Sequence, residues 1–599
     1  METRLPTREH PLLIFDGKCG FCRIWIDYWK LLTAGRVDYA PSQEVRGEFP
    51  QIPVRAYSES VQLVRTDGTV VGGARAVFES LGQQRWYESS RVFAALTEAA
   101  YRFIASHRNL AYQVTRFTFG KKIEPAQFAL TQWIFLRLLA AVYAIAFGSL
   151  ALQITGLIGA QGISPAQQFL ERVAGNFGSY RYVTFPTIFW ISASDAMLQG
   201  ACIAGILCAA LVFAGYLERA ALAAAFVLYL SLSQVGQEFL SFQWDSLLLE
   251  AGFLAIFFAR SAPGLRTVAW LYRCLVFRLY FLSGAVKLAS HDPNWSSLTA
   301  LDFHFHTQPL PTVFAWYADK LPVGVLHGAT WATLAIELGA PFLIFGPRLW
   351  RLAGAWCLIT LQAIIFLTGN YTFFNLLTLA LTLFLFDDQA LRRFSNRSPG
   401  VRQERRRASR IAAALLVVFV ITTGLVRIAE ALGQGVPPPL DLVASAAAPF
   451  QVVNTYGLFA VMTTERREII VEGSNDGEEW LPYEFRYKPG DVNAAPRWAQ
   501  PHQPRLDWQM WFAALGDYRS NPWFASFIVR LLEGSPAVLS LLEKNPFPDR
   551  PPRYIRAVSQ EYSFTSFSER RQSGAWWKRS YNGTYMPAVA LKGAAEAVR

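Results

Sequence analysis

Between residues 131 and 429 the chain carries about nine apolar runs near or above the length needed to cross a bilayer, and this limits the fold more than anything else in the sequence. Inside lipid, backbone polar groups must be satisfied within the segment, so continuous apolar runs of this length are read as spanning helices. They lie at roughly 131–155, 188–215, 218–239, 244–260, 267–289, 324–346, 349–369, 373–387 and 409–429, the eighth being short. More polar blocks flank them. The expected fold class is therefore a multi-pass α-helical membrane protein with an N-terminal α/β domain and a C-terminal β-rich α+β domain. The boundaries are drawn at 1–115 for the head, 116–130 for a basic linker, 131–430 for the membrane body and 431–599 for the tail.

Composition agrees, since 52% of the residues are hydrophobic and the mean hydropathy is +0.22. The net charge of +12 does not point to nucleic acid, because residues 431–599 are close to neutral and the excess falls in loops. Its densest cluster is Arg392, Arg393, Arg397, Arg402, Arg405, Arg406, Arg407 and Arg410, between the last two apolar runs. With Arg219, Arg260, Arg266, Arg348 and Arg351 in alternate loops, the positive-inside rule predicts a cytoplasmic head, an outside tail and a large outer loop near 290–320. No secretory leader is expected, since the first apolar run, Pro11 to Phe15, is too short and reads as a strand.

That run continues as LLIFDGKCGFC, and the following IWIDYWKLL has helical spacing. Cys19 and Cys22 therefore sit where a strand gives way to a helix, with Asp16 and Gly17 in the turn. A helix N-terminus favours a thiolate, and a second cysteine three residues on can resolve a mixed disulfide. Cys19 is the expected nucleophile and Cys22 the resolver, giving thiol-disulfide oxidoreductase activity with a thiol redox partner. A metal half-site and an inert structural pair are the alternatives; zinc would need two further ligands, and the head offers only His10 and His107. No metal is expected. The stretch SVQLVRTDGTVVGG reads as a hairpin turning at Asp67-Gly68. Cys202, Cys208, Cys274 and Cys357 fall in apolar runs and read as buried filler.

Charged residues within apolar runs are costly and expect partners. Asp245 and Glu250 lie in one run, Arg273 and Arg278 in the next, and the shared five-residue spacing predicts an ion-paired helical hairpin. Lys287 lies at the outer end of its run; it is read either as a desolvated base or as a lysine reaching the interface. His304 and His306 alternate as HFH, on one side of an extended outer loop, which leaves a metal role or ordinary loop histidines.

In the tail, REIIVEGSNDGEEWLPYEF alternates around Asn475-Asp476-Gly477 as a hairpin does, and DWQMWFAAL reads as a helix. Arg505, Asp507, Trp508 and Trp511 are the candidate client-binding residues, and the tail's aromatic residues could equally form its core. With neither GxSxG nor a phosphate loop, and His502 the tail's only histidine, a hydrolase triad is not expected there.

Three resemblances add to this reading. DGKCGFC together with YRFIASHRNL resembles the DCC family of thiol-disulfide oxidoreductases over about the first 115 residues, which implies a thioredoxin-like fold; where thioredoxins carry a cis-proline, this chain has Ser60. The segments LRLLAAVYAIAFGSLALQITGLIG, FQWDSLLLEAGFLA, VVNTYGLFAVMTTERREIIVEGSNDGEEWLPYEFRYKPGD and PHQPRLDWQMWFAAL resemble the lipase maturation factor family from about 131 to 587. That resemblance implies a membrane folding or assembly factor for an exported client such as a lipase. YFLSGAVKLASHDPNW is similar to the region of vitamin K-dependent γ-carboxylases that holds their basic lysine, with Gly284, Lys287, Leu288 and Trp295 at matching positions. The expectation is a membrane-embedded assembly factor with an attached CxxC module, in a bacterial inner membrane or, in a eukaryote, the endoplasmic reticulum. The rivals are a thiol or quinone-linked oxidoreductase and a γ-carboxylase-like enzyme using Lys287. No cofactor is fixed by the sequence, and a quinone is the one candidate.

Overall fold

Strand β1 (Leu12–Phe15) shows why the head folds as it does: all four of its residues are buried, and alternate ones enter different cores. Leu13 and Phe15 pack with Ile26, Val37, Val61, Leu63 and Ala76, while Leu12 and Ile14 pack with Phe49, Ile52, Tyr57 and Val64. A strand apolar on both faces must lie inside a layered α/β domain. It pairs in parallel with β2 (Asp38–Pro41) and antiparallel with β3 (Gln62–Val64), which pairs antiparallel with β4 (Val70–Gly72), giving the order β2-β1-β3-β4. The β3–β4 turn falls at Asp67-Gly68 as expected, with Asp67 Oδ1 accepting from the Thr69 N–H at 2.9 Å. Helices Gly20–Thr33, Gly73–Ser80, Arg91–Ser106 and Arg108–Phe119 complete the head.

The computed structural model describes residues 8–120, 123, 127–259, 265–392 and 407–591. The chain divides into two compact units: Met1–Gln127 with Gly346–Leu352, and Phe128–Phe345 with Ala353–Arg599. Of the expected cationic loop residues, Arg260, Arg393, Arg397, Arg402, Arg405 and Arg406 lie outside the described residues.

Every expected apolar run is helical over most of its length. Among the described residues five helices are long and apolar enough to cross a membrane: Ala129–Ala151, Asp195–Ala214, Arg266–Ala289, Arg348–Thr368 and Ile411–Ala431. The others, Glu218–Val235, Gln243–Phe258, Val323–Leu343 and Phe374–Thr382, fall short in length or apolarity, so the body is a helical membrane-type bundle with five candidate spans rather than nine. The run expected from 188 begins as a helix only at Asp195, where the Ser194 hydroxyl caps the Met197 N–H at 3.4 Å. The helices approach closely: a Cβ on Gly252 would lie 1.8 Å from the Tyr143 hydroxyl of the neighbouring helix.

The tail holds a second four-stranded sheet, fully antiparallel, made from β5 (Arg466–Ser474), β6 (Leu481–Pro482), β7 (Tyr554–Phe564) and β8 (Trp577–Val589) in the order β6-β5-β7-β8. Its β5–β6 turn is the one read around Asn475-Asp476-Gly477, with Gly477 at φ +84° and Asp476 Oδ1 accepting from the Glu478 and Glu479 N–H groups at 2.8 and 2.9 Å. The main partner of β5 is β7, some eighty residues further on, which no local pattern signals. The helix read at DWQMWFAAL is Arg505–Ala514. Tail and body belong to one unit, and polar side chains seal the joint. The Ser149 hydroxyl lies 2.9 Å from His502 Nδ1 and accepts from the Gln503 N–H at 2.9 Å, while Asn370 Oδ1 accepts from the Ala499 N–H at 2.7 Å.

Candidate redox site and buried charges

Strand β1 ends at Phe15 and the Gly20–Thr33 helix follows, so Cys19 becomes the residue capping a helix N-terminus, its sulfur accepting from the Cys22 N–H at 3.4 Å. Asp16 holds the turn between them. Its Oδ1 accepts from the Lys18 N–H at 3.0 Å and from Gln43 Nε2 at 2.9 Å, and Gln43 in turn accepts from the Gly17 N–H at 3.1 Å. Gly17 is required by space, since a Cβ there would lie 2.8 Å from the Pro41 Cβ. Asp16 also pairs with Arg108 at 3.3 Å, and Arg108 donates to the Ser58 carbonyl at 2.5 Å.

This setting separates the two thiols. The Cys22 side chain donates to Cys19, and with the helix N-terminal N–H groups and the Arg108 charge it holds the Cys19 thiol down at about 6, against the opposing effect of burial. Cys22 is pushed well up by the same hydrogen bond and by burial. Both cysteines are free and partly exposed. Beside Cys22 is a space of about 30 Å³ bordered by Ser60, Tyr101 and Arg108. Tyr101 accepts there from the Val61 N–H at 2.9 Å, next to Ser60. Gln43, Tyr101 and Arg108 are absent from the expected site. Tyr101 and Arg108 do lie in the YRFIASHRNL segment singled out above, whereas nothing around Gln43 in sequence marks it.

The expected helical hairpin holds for one pair of charges and fails for the other. Glu250 and Arg278 form a fully buried ion pair. Glu250 also accepts from the Asn454 N–H at 2.9 Å and the Tyr456 hydroxyl at 2.8 Å, so the pair is completed by the segment leading into the tail. Asp245 does not meet Arg273. It takes two hydrogen bonds from Arg505, at 3.0 and 2.8 Å, and one from the Tyr229 hydroxyl at 2.5 Å. The reason is position along the helix: Asp245 lies about 7.5 Å from Glu250 at 1.5 Å per residue, in the first turn and facing the tail. Arg273 donates instead to the Phe384 carbonyl at 2.8 Å.

Lys287 is neither at an interface nor free. It is 4% exposed, with Nζ 2.9 and 2.7 Å from the Glu337 carboxylate oxygens and 3.1 Å from the Ser283 carbonyl, over the Trp295 ring. These contacts engage all three donors of an ammonium group, so the structure gives a buried ion pair where the sequence left a base or an interfacial lysine open. His304 and His306 sit on the helix Ala300–Thr307, not on an extended loop, and helical geometry turns residues two apart to different sides. His306 Nδ1 lies 2.8 Å from Asp319, and His304 packs against the Phe459 ring. Among the described residues no cluster of three or more His, Cys, Asp or Glu could hold a metal.

Arg505, Asp507, Trp508 and Trp511, read as client-facing, are all buried. Arg505 is committed to Asp245. Asp507 accepts from the Tyr487 and Lys488 N–H groups at 2.8 and 2.9 Å, and Trp511 donates to the Thr307 carbonyl at 2.8 Å. Trp508 packs edge-on against Trp244 of the body, 4.7 Å between ring centres. Arg505, Trp508 and Trp511 hold the tail to the body, while Asp507 is engaged within the tail. Of the aromatic residues near the end, Trp577 is core and Tyr581 is exposed. Cys357 is exposed rather than buried.

Three known families match. Residues 130–393 match the lipase maturation factor transmembrane domain, residues 452–587 the lipase maturation factor C-terminal domain, and residues 13–114 the DCC1-like thiol-disulfide oxidoreductase. Lipase maturation factor 2 of Gallus gallus is 37% identical over 584 residues, covering 76% of this chain and 81% of its own. The Homo sapiens lipase maturation factor 2 is 35% identical, covering 77% and 83%. Lipase maturation factor 1 of Bos taurus is 34% identical, covering 78% and 90%. No solved structure matches.

Proposed function

The chain belongs to the lipase maturation factor family, and from that premise we propose that it assists the folding or assembly of an exported lipase, with its head serving as a thiol-disulfide oxidoreductase. The observation that carries the first part is the union of body and tail, the two regions matched to that family, into one unit closed by the Asp245–Arg505 pair and by Asn454 and Tyr456 on the Glu250–Arg278 pair. A factor that holds a folding client at a membrane needs its outer domain fixed to its anchor.

The same joint bears on topology. The tail's hydrogen bonds reach residues such as Ser149, Gln161, Phe239, Thr307 and Asn370. In the assignment drawn from nine apolar runs, all lie on the side given to the arginine-poor loops. This supports a cytoplasmic N-terminus and a periplasmic or lumenal tail, in a bacterial inner membrane or, in a eukaryotic cell, the endoplasmic reticulum. Cys19 attacks a partner disulfide as the thiolate and Cys22 resolves the mixed disulfide, so the head becomes oxidised as its partner is reduced. The space beside Cys22, about 30 Å³, is far below what an aromatic cofactor needs, which favours a thiol protein over a quinone as redox partner.

The test is lipase activity and lipase dimer content in export-competent cells lacking the gene, restored with the wild-type chain or with Cys19→Ser/Cys22→Ser. Low activity rescued by both chains is expected, with the head an accessory. Normal lipase in the deleted strain would overturn the assembly role. Rescue by the wild type alone would make the redox step part of maturation.

A further inference from the structure

We propose that the cavity of about 520 Å³ at the joint between body and tail receives an apolar polypeptide segment of the client carrying a lysine or arginine side chain. The proposal rests on the reading of the chain as a maturation factor and names where, and by what chemistry, the client is held.

The walls are aromatic: Trp244 comes from the body, and Trp508, Trp511 and Trp523 come from the tail. Clustered indole faces attract a cation as well as apolar surface. The one charged residue among those lining the cavity is Glu238, in the short turn Gln237–Leu240. One of its carboxylate oxygens is buried with no hydrogen-bond partner, and it forms no ion pair among the described residues. This contrasts with Asp245 and Glu250 a few residues away, each closed by an arginine. A buried acceptor without a donor is costly, and a cationic side chain entering the cavity would supply one.

Two further groups are unpaired. The indole N–H groups of Trp244 and Trp508, both in residues of the cavity wall, are buried and without acceptors. The rim continues the apolar surface, with Val461, Phe512 and Leu515 at 66, 42 and 52% exposed. The alternative occupant, a phospholipid headgroup, would bring a phosphate along with any ammonium, and no lysine or arginine lines the cavity to receive that phosphate. Charge therefore favours the cationic peptide. Trp508 and Trp511 are among the expected client-binding residues, and the fold brings Glu238 to the same space.

The experiment uses the full chain in nanodiscs and the labelled peptide fluorescein-Gly-Leu-Phe-Lys-Phe-Leu-amide, with matched peptides carrying Gln or Glu in place of Lys, read by fluorescence anisotropy. The lysine peptide should bind about tenfold more tightly than the glutamine peptide, the effect of one desolvated charge contact. Glu238→Gln, which removes no existing ion pair, should bring the two within about twofold. Val461→Lys, an exposed change with little bearing on folding, should weaken the lysine peptide and leave the glutamate peptide no weaker. Equal binding of the lysine and glutamine peptides by the wild type would overturn the proposal, as would a preference that survives Glu238→Gln. Displacement of the lysine peptide by glycerophosphoethanolamine would assign the cavity to a headgroup and overturn it as well. Because no lipase is present, a failure of the lipase assay in cells leaves this result standing, and the reverse holds equally.

Discussion

The chain contains two four-stranded sheets that treat charge in opposite ways. In the head, the functional groups stay near the surface: Cys19 and Cys22 are partly exposed, and the Asp16–Arg108 pair keeps about a quarter of each side chain in solvent. In the tail, Arg466, Glu468, Lys488 and Arg505 are almost fully buried, and each is paired. A thiol must meet a partner to work, so its surroundings tune it without enclosing it. A joint must not open, and burying paired charges makes its partial opening costly. The difference separates a head whose two thiols stay partly exposed from a tail that holds its place on the membrane body.

The largest effect expected from this contrast is at the joint. Asp245→Ala leaves Arg505 buried and unpaired and should cost about 3–5 kcal/mol, read as a lower unfolding temperature of the full chain in detergent. An unchanged melt would mean that the clamp does not hold the tail. Asp245→Asn with Arg505→Met should recover most of the loss, because the stranded charge is gone. Lys287→Met should act the same way within the body, and Lys287→Met with Glu337→Leu should return near wild-type stability. If that stable double variant still abolished lipase maturation, the lysine would have a role in chemistry that its ion pair does not reveal.

In the head the effects are smaller and local. Gly17→Ala forces a Cβ against Pro41 and should cost about 1–3 kcal/mol, lowering only the melting of the head while the second unit is unaffected. The finest comparison is the thiol itself. Alkylation of Cys19 by iodoacetamide should be fast above pH 6 and fall as pH drops through about 6, because the reactive thiolate is protonated there, with Cys22 unreactive throughout. Cys22→Ser should move that midpoint upward if its weaker-fitting hydroxyl replaces the thiol's hydrogen bond poorly. Arg108→Gln should move it upward by less, since Arg108 is a lesser contributor. A midpoint already above 8 in the wild type would remove the basis for assigning the nucleophile to Cys19.

Much of this arrangement was legible in the residues. The strand LLIF, the cysteine turn, both glycine-containing hairpin turns and the helix at Arg505–Ala514 are local patterns, and local patterns were read correctly. Positions within the bundle were read less well. The Glu250–Arg278 pair follows from neighbouring helices, but the partner of Asp245 comes from 260 residues further along the chain. Lys287 does end its helix, but spacing alone does not place Glu337 beside it. The HFH segment looked extended because alternation in three residues cannot distinguish a strand from a short helix.

The sequence by itself determined the class of molecule and its parts: an apolar helical body, a thiol-bearing α/β head and a strand-containing tail. It did so because hydrophobic run length, strand alternation and turn chemistry act over a few residues. Only the tertiary structure decided which charges are spent on holding the molecule together and which remain open. Asp245, Glu250 and Glu238 are alike in sequence, each an acid within or beside an apolar run. The fold gives Asp245 an arginine from the distant tail, gives Glu250 one from the next helix and leaves Glu238 facing an aromatic cavity, because a buried charge takes its character from the groups brought against it.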